Sequence, residues 1–530
     1  MAQIAGLSDT RGAGPPGDIG TYQMPCSVLV FQFTFSGTTY NAAIRAGDRG
    51  WVPVTPSSTD AATVINAAIT YAATLGVSDV VLRGTFTIAA TINAVSNVSV
   101  YGSGAVIDAD SALTFNAVTF NNVTNCTWFG VRVRRRGVVG ASVHGVYVAG
   151  TTDKTARIIN CVVTNETTGA TDCHGLYTVN SSAPVVSGCI ITGGGATDCH
   201  GLYTVNSSAP VVSGCIITGG GTTSCHGLYT VNSSAPVVSE CTITGGAGGS
   251  GCRGLVTIDS SAPVVSGCTI TGGAGGSGCH GLYTVNSSAP VVSGCIITGG
   301  AGGPGCYGLY TVNSSAPVVS ECTITGGGGY TSHSWNYLSA NNGRFQPYAT
   351  KPYMLVSVYV LVSAAAGAGT TLSLGNTVGG VEIATGIPID STGSKYFAFT
   401  RTEQAAAGYL YATPSAGIAD GNLTVYYVVR PNYATCYGAY IDTRGYARVT
   451  ESSIFTNGAS DALYATDVAE AANAWRVTNC HIETMDPVNQ RSIISQSAYA
   501  NAPIYNCVLI GLVVNIAPAA GTAVGSNVQV

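Results

Sequence analysis

The sequence predicts an all-β solenoid of the parallel β-helix type, and three observations predict it. Six near-identical blocks, each like CHGLYTVNSSAPVVSGCIITGG, run head to tail between Cys173 and Cys322, with starts 26 or 27 residues apart. The apolar residues of a block fall in short runs, GLYTV and CIIT or CTIT, and neither has helical spacing. SSAP and a Gly-rich stretch separate these runs as turns, where Gly supplies the positive φ of the corners. A unit this short buries its apolar face only by stacking on copies of itself.

Aligning the blocks identifies the core. Leu176, Leu202, Leu228, Leu255, Leu282 and Leu309 form one column. Val186, Val212, Val238, Val265, Val292 and Val319 form a second, and Ile191, Ile217, Ile243, Ile270, Ile297 and Ile324 a third. At a strand spacing of about 4.8 Å, six rungs make a rod section of roughly 25 to 30 Å. Asn180, Asn206, Asn232, Asn286 and Asn313, with Asp259 as the exception, fall where a turn begins. Stacked amides there can hydrogen-bond along the axis. They also match the Asn-x-Ser glycosylation pattern, but without a secretory signal the ladder is the expected role.

Composition excludes several function classes. Only 8% of the 530 residues are charged and the net charge is −5, so the basic field of a nucleic-acid binder is missing. No run approaches the roughly 20 apolar residues that a membrane span needs. The opening residues, MAQIAGLSDTRGAGPPGDIG, show no charged segment followed by an apolar one, so synthesis and folding in a cytoplasm are expected. Eighteen Cys would suggest an oxidising compartment, yet twelve of them recur simply because the block recurs.

Along the chain, residues 1–55 read as a turn-rich arm; Gly14-Pro-Pro-Gly17-Asp-Ile-Gly20 matches a collagen pattern over only two triplets. Asp60 then caps a segment with apolar residues at helical spacing that stops at Gly76. The strand-like VVLRGTFTIAATI and NVSVYGSGAVIDA follow, and degenerate rungs continue at VTNCTWFGVRV and from VHGVYV to IINCVVT. The solenoid spans 56–330, with its regular repeats over 173–327. Residues 331–431 change rhythm to longer alternating runs, among them MLVSVYVLV and NLTVYYVV, which predict an antiparallel β-sandwich. CYGAY at Cys436 overlays CYGLY at Cys306, and SDALYAT at Ser460 overlays the same positions. The sandwich is therefore an insertion between two rungs, and 432–530 is a resumed short β-helix with the C-terminal end.

An amphipathic helix leading into short β runs resembles the entry to pectate-lyase-like right-handed parallel β-helices, viral tailspikes among them. The resemblance covers residues 60–330 and 432–527. It implies a right-handed solenoid whose open N-terminal end is capped by the helix.

Several columns carry candidate chemistry. Each second-column Cys is followed across the Gly-rich turn by a first-column Cys: Cys161 with Cys173, Cys189 with Cys199, Cys215 with Cys225, Cys241 with Cys252, Cys268 with Cys279, Cys295 with Cys306 and, across the insertion, Cys322 with Cys436. At the next turn Ser452 and Ser460 replace both members. Two readings stay open: a disulfide across each turn, or two columns of small buried thiols, as Cys126, Cys480 and Cys507 suggest. His144, His174, His200, His226 and His280 share one column, interrupted by Arg253 and Tyr307. A ladder presents parallel rather than converging ligands, so a surface stripe is expected and no metal or other cofactor. The adjacent stripe, Tyr177, Tyr203, Tyr229, Tyr283, Tyr310, Tyr440 and Tyr464, either stacks against sugars or packs on a neighbouring subunit.

Glycoside hydrolysis needs two carboxylates about 5 to 9.5 Å apart. Asp108 with Asp110, or Asp172 with Asp198, are the candidates, but the second pair gives way to Ser224 and then Gly in later rungs. The polygalacturonase signatures Asn-Thr-Asp, Asp-Asp and Gly-His-Gly do not occur; the sequence has Cys-His-Gly instead. No residue is therefore assigned to catalysis. Arg134-Arg135-Arg136 is the one basic cluster and reads as a solvated or interface face.

The resemblance implies a structural and binding component of a virus particle, such as a bacteriophage tailspike or tail fibre. Residues 1–55 would be the attachment arm to other virion proteins, the shaft homotrimeric, and the sandwich a contact for host surface polysaccharide. A polysaccharide lyase or glycoside hydrolase on the same fold is the alternative. A cell-surface adhesin or extracellular filament subunit is a third.

Overall fold

The computed structural model describes residues 28–327 apart from 48–49, 77–78, 111–113, 139, 141, 170, 287, 302 and 314, and between 331 and 529 mainly strand residues. The Gly14–Gly20 segment, Cys436 and Ser460, and the side chains of Asp110 and Tyr464, lie outside the described residues.

The first described segment departs from the turn-rich expectation. Strands β1 (Val28–Phe35), β2 (Thr38–Gly47) and β3 (Gly50–Ser58) form an antiparallel sheet. β1 also runs parallel to β4 (Asp79–Arg83), with Val28 opposite Val80, so this sheet is continuous with the solenoid wall. Helix α1 (Ala61–Thr74) starts where Asp60 accepts hydrogen bonds from the N–H groups of Ala62 and Thr63 at 3.1 and 3.2 Å. Its buried side, Ala61, Val64, Ile65, Ala68, Ile69 and Ala72, joins the core of the first rungs. Asn66 fastens the other side of the junction, donating to Thr91 O at 2.9 Å and accepting from Asn93 N–H at 2.8 Å.

Each repeat contributes one strand to each of three parallel sheets. In the first block these are Leu176–Val179, Val185–Ser187 and Ile190–Thr192. The Val-Val-Ser strand was not expected from the sequence. At three residues it is too short to show alternation, although Val186 points into the core and Val185 does not. Among the described residues the three sheets contain 13, 17 and 14 strands, the middle one including β1–β3. Register is rung on rung: Leu176 opposes Leu202, Val186 opposes Val212 and Ile191 opposes Ile217. All six positions are 0–1% exposed. Each such side chain is worth about 1.5–3 kcal/mol when covered on both sides, which is why a rung does not stand alone.

Two kinds of glycine close the turns. Gly214 takes φ +59° at a corner, as do Gly188 and Gly267 near that value. Gly201, in contrast, has no special φ; a Cβ there would lie 2.7 Å from Ile217 Cγ2 and from Thr218 O. Close approach of neighbouring rungs, rather than positive φ, dictates that column.

The solenoid resumes after the insertion in register. Leu309 opposes Ala439, Tyr310 opposes Tyr440, and Ile324 opposes Ile454. Between these rungs the described residues form one five-stranded and one four-stranded antiparallel sheet. Val360, Val362, Leu423 and Val425 of the first are buried, as are Leu372, Leu374, Ile387, Leu410 and Ala412 of the second.

Candidate functional site

The columns beside the Leu-Tyr-Thr sheet place most of the candidate residues together. The histidines are not a surface stripe. His144, His174, His200, His226 and His280 are 1–7% exposed, and the rings of the first four stack at 4.8–5.0 Å with interplanar angles of 3–6°. Each Nδ1 accepts the backbone N–H of the next rung: His200 N–H to His174 Nδ1 at 3.1 Å, His226 N–H to His200 Nδ1 at 3.1 Å, and Tyr307 N–H to His280 Nδ1 at 3.2 Å. That contact fixes neutral rings with the proton on Nε2. Burial holds His144 down to about 3 and the other four well below the ordinary imidazole value. The imidazoles are covered by one another and by the tyrosine rings beside them, which the flat repeat pattern does not reveal.

The tyrosines flank the histidines and are half-buried. Tyr177 stacks on Tyr203 at 5.1 Å, and Tyr203 on Tyr229 at 5.0 Å, so their faces cover one another. His144, His174, His200 and His280 also meet the next rung's tyrosine at an inclined angle, as His174 meets Tyr203 edge-on at 4.7 Å. Behind them Val179, Val205 and Val231 form a small apolar cluster.

Sixteen cysteines are described, all as buried thiols. The second column lies in the main core, whereas Cys173, Cys199, Cys225, Cys252, Cys279 and Cys306 form a separate cluster beneath the Gly-rich turns. In the six expected couples whose members are both described, the two cysteines thus sit in different clusters, and their sulfur contacts run along the columns instead. Cys173 N–H meets Cys199 Sγ at 3.2 Å, and Cys189 N–H meets Cys215 Sγ at 3.3 Å. Ser452 continues the second column, its Oγ accepting from Cys322 N–H at 3.2 Å.

The amide ladder forms as expected. Asn232 donates to Asn206 Oδ1 at 3.2 Å, Asn286 to Asp259 Oδ1 at 2.9 Å, and Asn313 to Asn286 Oδ1 at 3.2 Å. All of these residues adopt φ between 53 and 56°.

The basic cluster is not a free cationic face. Arg134 and Arg136 both grip Asp108, with Nη2–Oδ2 distances of 2.8 and 2.6 Å, and Arg135 is fully buried, donating to Ala109 O at 2.9 Å. Burial alone would raise the Asp108 carboxyl, but hydrogen bonds from the two arginines outweigh it and hold the group below its ordinary value. That removes Asp108 from the candidate acids. Asp172 and Asp198 stack on adjacent rungs at φ 58 and 54°; burial, then the neighbouring Asp172 charge, raises the Asp198 carboxyl. Among the described residues no group of three or more His, Cys, Asp or Glu converges as a metal site, and no helix is long and apolar enough to cross a membrane.

Solved structures with a similar course include the A-module of a mannuronan C-5 epimerase (AlgE6) from Azotobacter vinelandii, at 14% identity over 84% of this chain and 94% of that one, with a TM-score of 0.43. The enzymatically active domain of tailspike protein 4 from bacteriophage CBA120 matches at 12% identity over 76% and 68%, with a TM-score of 0.34. Pectate lyase Pel9A matches at 16% over 47% and 72%, with a TM-score of 0.31. No curated protein matches the sequence. The family model described as "Right handed beta helix region" matches residues 78–278 and 249–344, together half of the chain, and this span includes the regular rungs from Leu176 to Thr325. With three parallel sheets, one strand of each per repeat, the chain belongs to the right-handed β-helix family.

Proposed function

We propose that this protein is a structural and binding component of a virus particle, a tailspike or fibre, in which the solenoid is a shaft and surface glycans are the contact. The observation that carries this reading is the uniformity of the rungs. Apart from the rung that begins at Cys252, outward columns of Asn, Tyr and Ser repeat with the same neighbours from rung to rung, so adding a rung adds length and little new chemistry. The in-register insertion supports it further, since a module entering between Leu309 and Ala439 adds a second binding surface without interrupting the shaft. Residues 28–58 then join the first rungs to whatever the N-terminal arm attaches to, and association into a homotrimer is part of the proposal.

Immunogold imaging of native particles with antibody to residues 331–431 tests it. Label on a tail or surface fibre is expected; label absent from purified particles would overturn it. A polysaccharide-degrading role has one observation in its favour, the stacked Asp172 and Asp198 with the latter carboxyl raised. Incubation with host polysaccharide distinguishes the two readings: oligosaccharide release abolished by D198N would establish the enzyme.

A further inference from the structure

One rung departs from its neighbours on one face only. In the block starting at Cys252, Arg253 stands in the histidine column, Val256 in the tyrosine column, Ile258 in the valine column and Asp259 in the asparagine column. The inward Leu255, Val265 and Ile270 are unchanged and fully buried. All four changes lie on the outer side of the Leu-Tyr-Thr sheet or at the corner after it.

These changes interrupt the aromatic stack, and Val256 itself is fully buried. On the other rungs each tyrosine ring meets that of the next, stacked from Tyr177 to Tyr229, tilted between Tyr283 and Tyr310 and edge-on between Tyr310 and Tyr440, but Val256 leaves Tyr229 and Tyr283 two rungs, about 10 Å, apart. The Arg253 guanidinium lies in this interval, 4.1 Å from the Tyr283 ring centroid. Its backbone N–H is held by His226 Nδ1 at 3.2 Å, which pins the residue in place. Its Nε is buried and has no hydrogen-bond partner among the described residues. Nor does a described carboxylate pair with it: Asp259 is exposed at the far end of the strand and accepts from Asn286. A half-buried cation without a counterion is costly, and burial pulls its affinity for the proton down. By contrast, the other conspicuous arginines, Arg134 and Arg136, have Asp108.

We propose that Arg253, in the interval between Tyr229 and Tyr283 where the smaller Val256 is fully buried, binds a carboxylate-bearing sugar of an acidic polysaccharide. This deepens the glycan-contact reading above and rests on it. The guanidinium supplies planar, bidentate recognition of the carboxylate, and the adjoining aromatic surface receives the apolar face of the sugar ring. The altered face is one rung high, the scale of one sugar unit, whereas a protein partner needs about 800 Å² per side. The neighbouring tyrosines continue the same line along the axis, so a chain lying along the shaft passes the arginine once.

The test uses the full chain and immobilised polygalacturonate, alginate, hyaluronan and polysialate, each beside its methyl-esterified or carboxyl-reduced counterpart. Binding to at least one acidic polymer is expected, weakened by salt and lost on neutralising the carboxyls. R253Q should weaken it about tenfold or more, the scale of one charge-assisted contact. The double variant R253H/V256Y restores the residues that the neighbouring rungs carry in the histidine and tyrosine columns and therefore keeps the fold; it should abolish binding with an unchanged circular-dichroism spectrum. Failure of all four acidic polymers, equal binding of the neutralised forms, or full binding by R253H/V256Y would overturn the proposal. Binding of native host glycan that is indifferent to both variants would overturn this site while leaving the wider reading standing; no binding of host glycan by the wild type would remove both.

Discussion

Acidification should unfold this shaft well before its carboxylates are protonated, because five imidazoles are buried neutral in one column. In the fold His144 stays unprotonated down to about pH 3, and His174, His200, His226 and His280 are likewise held well below their ordinary value by burial, with neighbouring imidazoles or Arg253 adding to it. In the unfolded chain each takes a proton near pH 6.5. The unfolded state therefore binds more protons at every pH between these limits, and stability falls as pH drops through that window. From pH 7 to pH 5 the loss is about 2 kcal/mol per histidine, or about 10 kcal/mol if all five unfold together. Since whole domains are commonly stable by only about 5–15 kcal/mol, the effect is decisive. Guanidinium unfolding followed by far-UV circular dichroism at pH 7, 6 and 5 measures it, and the slope with pH counts the protons. H200Q, which retains an acceptor, should lower the count by one. A stability independent of pH between 7 and 5, or an imidazole titrating near 6.5 in the folded chain, would refute the buried ladder.

Three further outcomes are expected. Gly201→Ala should cost about 1–3 kcal/mol, the usual penalty for overpacking, because its Cβ would meet Ile217 Cγ2 and Thr218 O at 2.7 Å; an unchanged melting curve would contradict the close approach. Excision of residues 331–431 should leave a folded shaft, since Leu309 and Ala439 already pair in register, and an aggregated product without β-sheet signal would count against the insertion. Asp108→Asn should destabilise by about 1–3 kcal/mol, less than a fully buried pair because Arg134 and Arg136 are 36% and 34% exposed; thermal melts in low and high salt measure it, with the difference from wild type shrinking in salt.

In a solenoid, residue n rests on the residue one repeat away, so periodicity is itself a list of contacts. The alignment that places Leu176 over Leu202 and Ile191 over Ile217 is the register of the folded sheets, and the return of the motif as CYGAY locates the rung that receives the insertion. Fold, core and insertion point therefore follow from the linear order alone. What the repeat does not encode is the path of its corners, since the same columns recur whichever way a turn bends. Whether the histidines face water, whether Cys189 and Cys199 share a cluster, and how deep Arg253 sits depend on how the corners bring the columns against one another. Arg134, Arg136 and Asp108 meet only because strands more than twenty residues apart in sequence are 4.8 Å apart in space, in a degenerate region with no repeat to announce it. Arg253 stands out in the sequence as a break in a column. Its missing counterion and the interrupted tyrosine stack belong to the three-dimensional arrangement, because only packing determines which charges have partners.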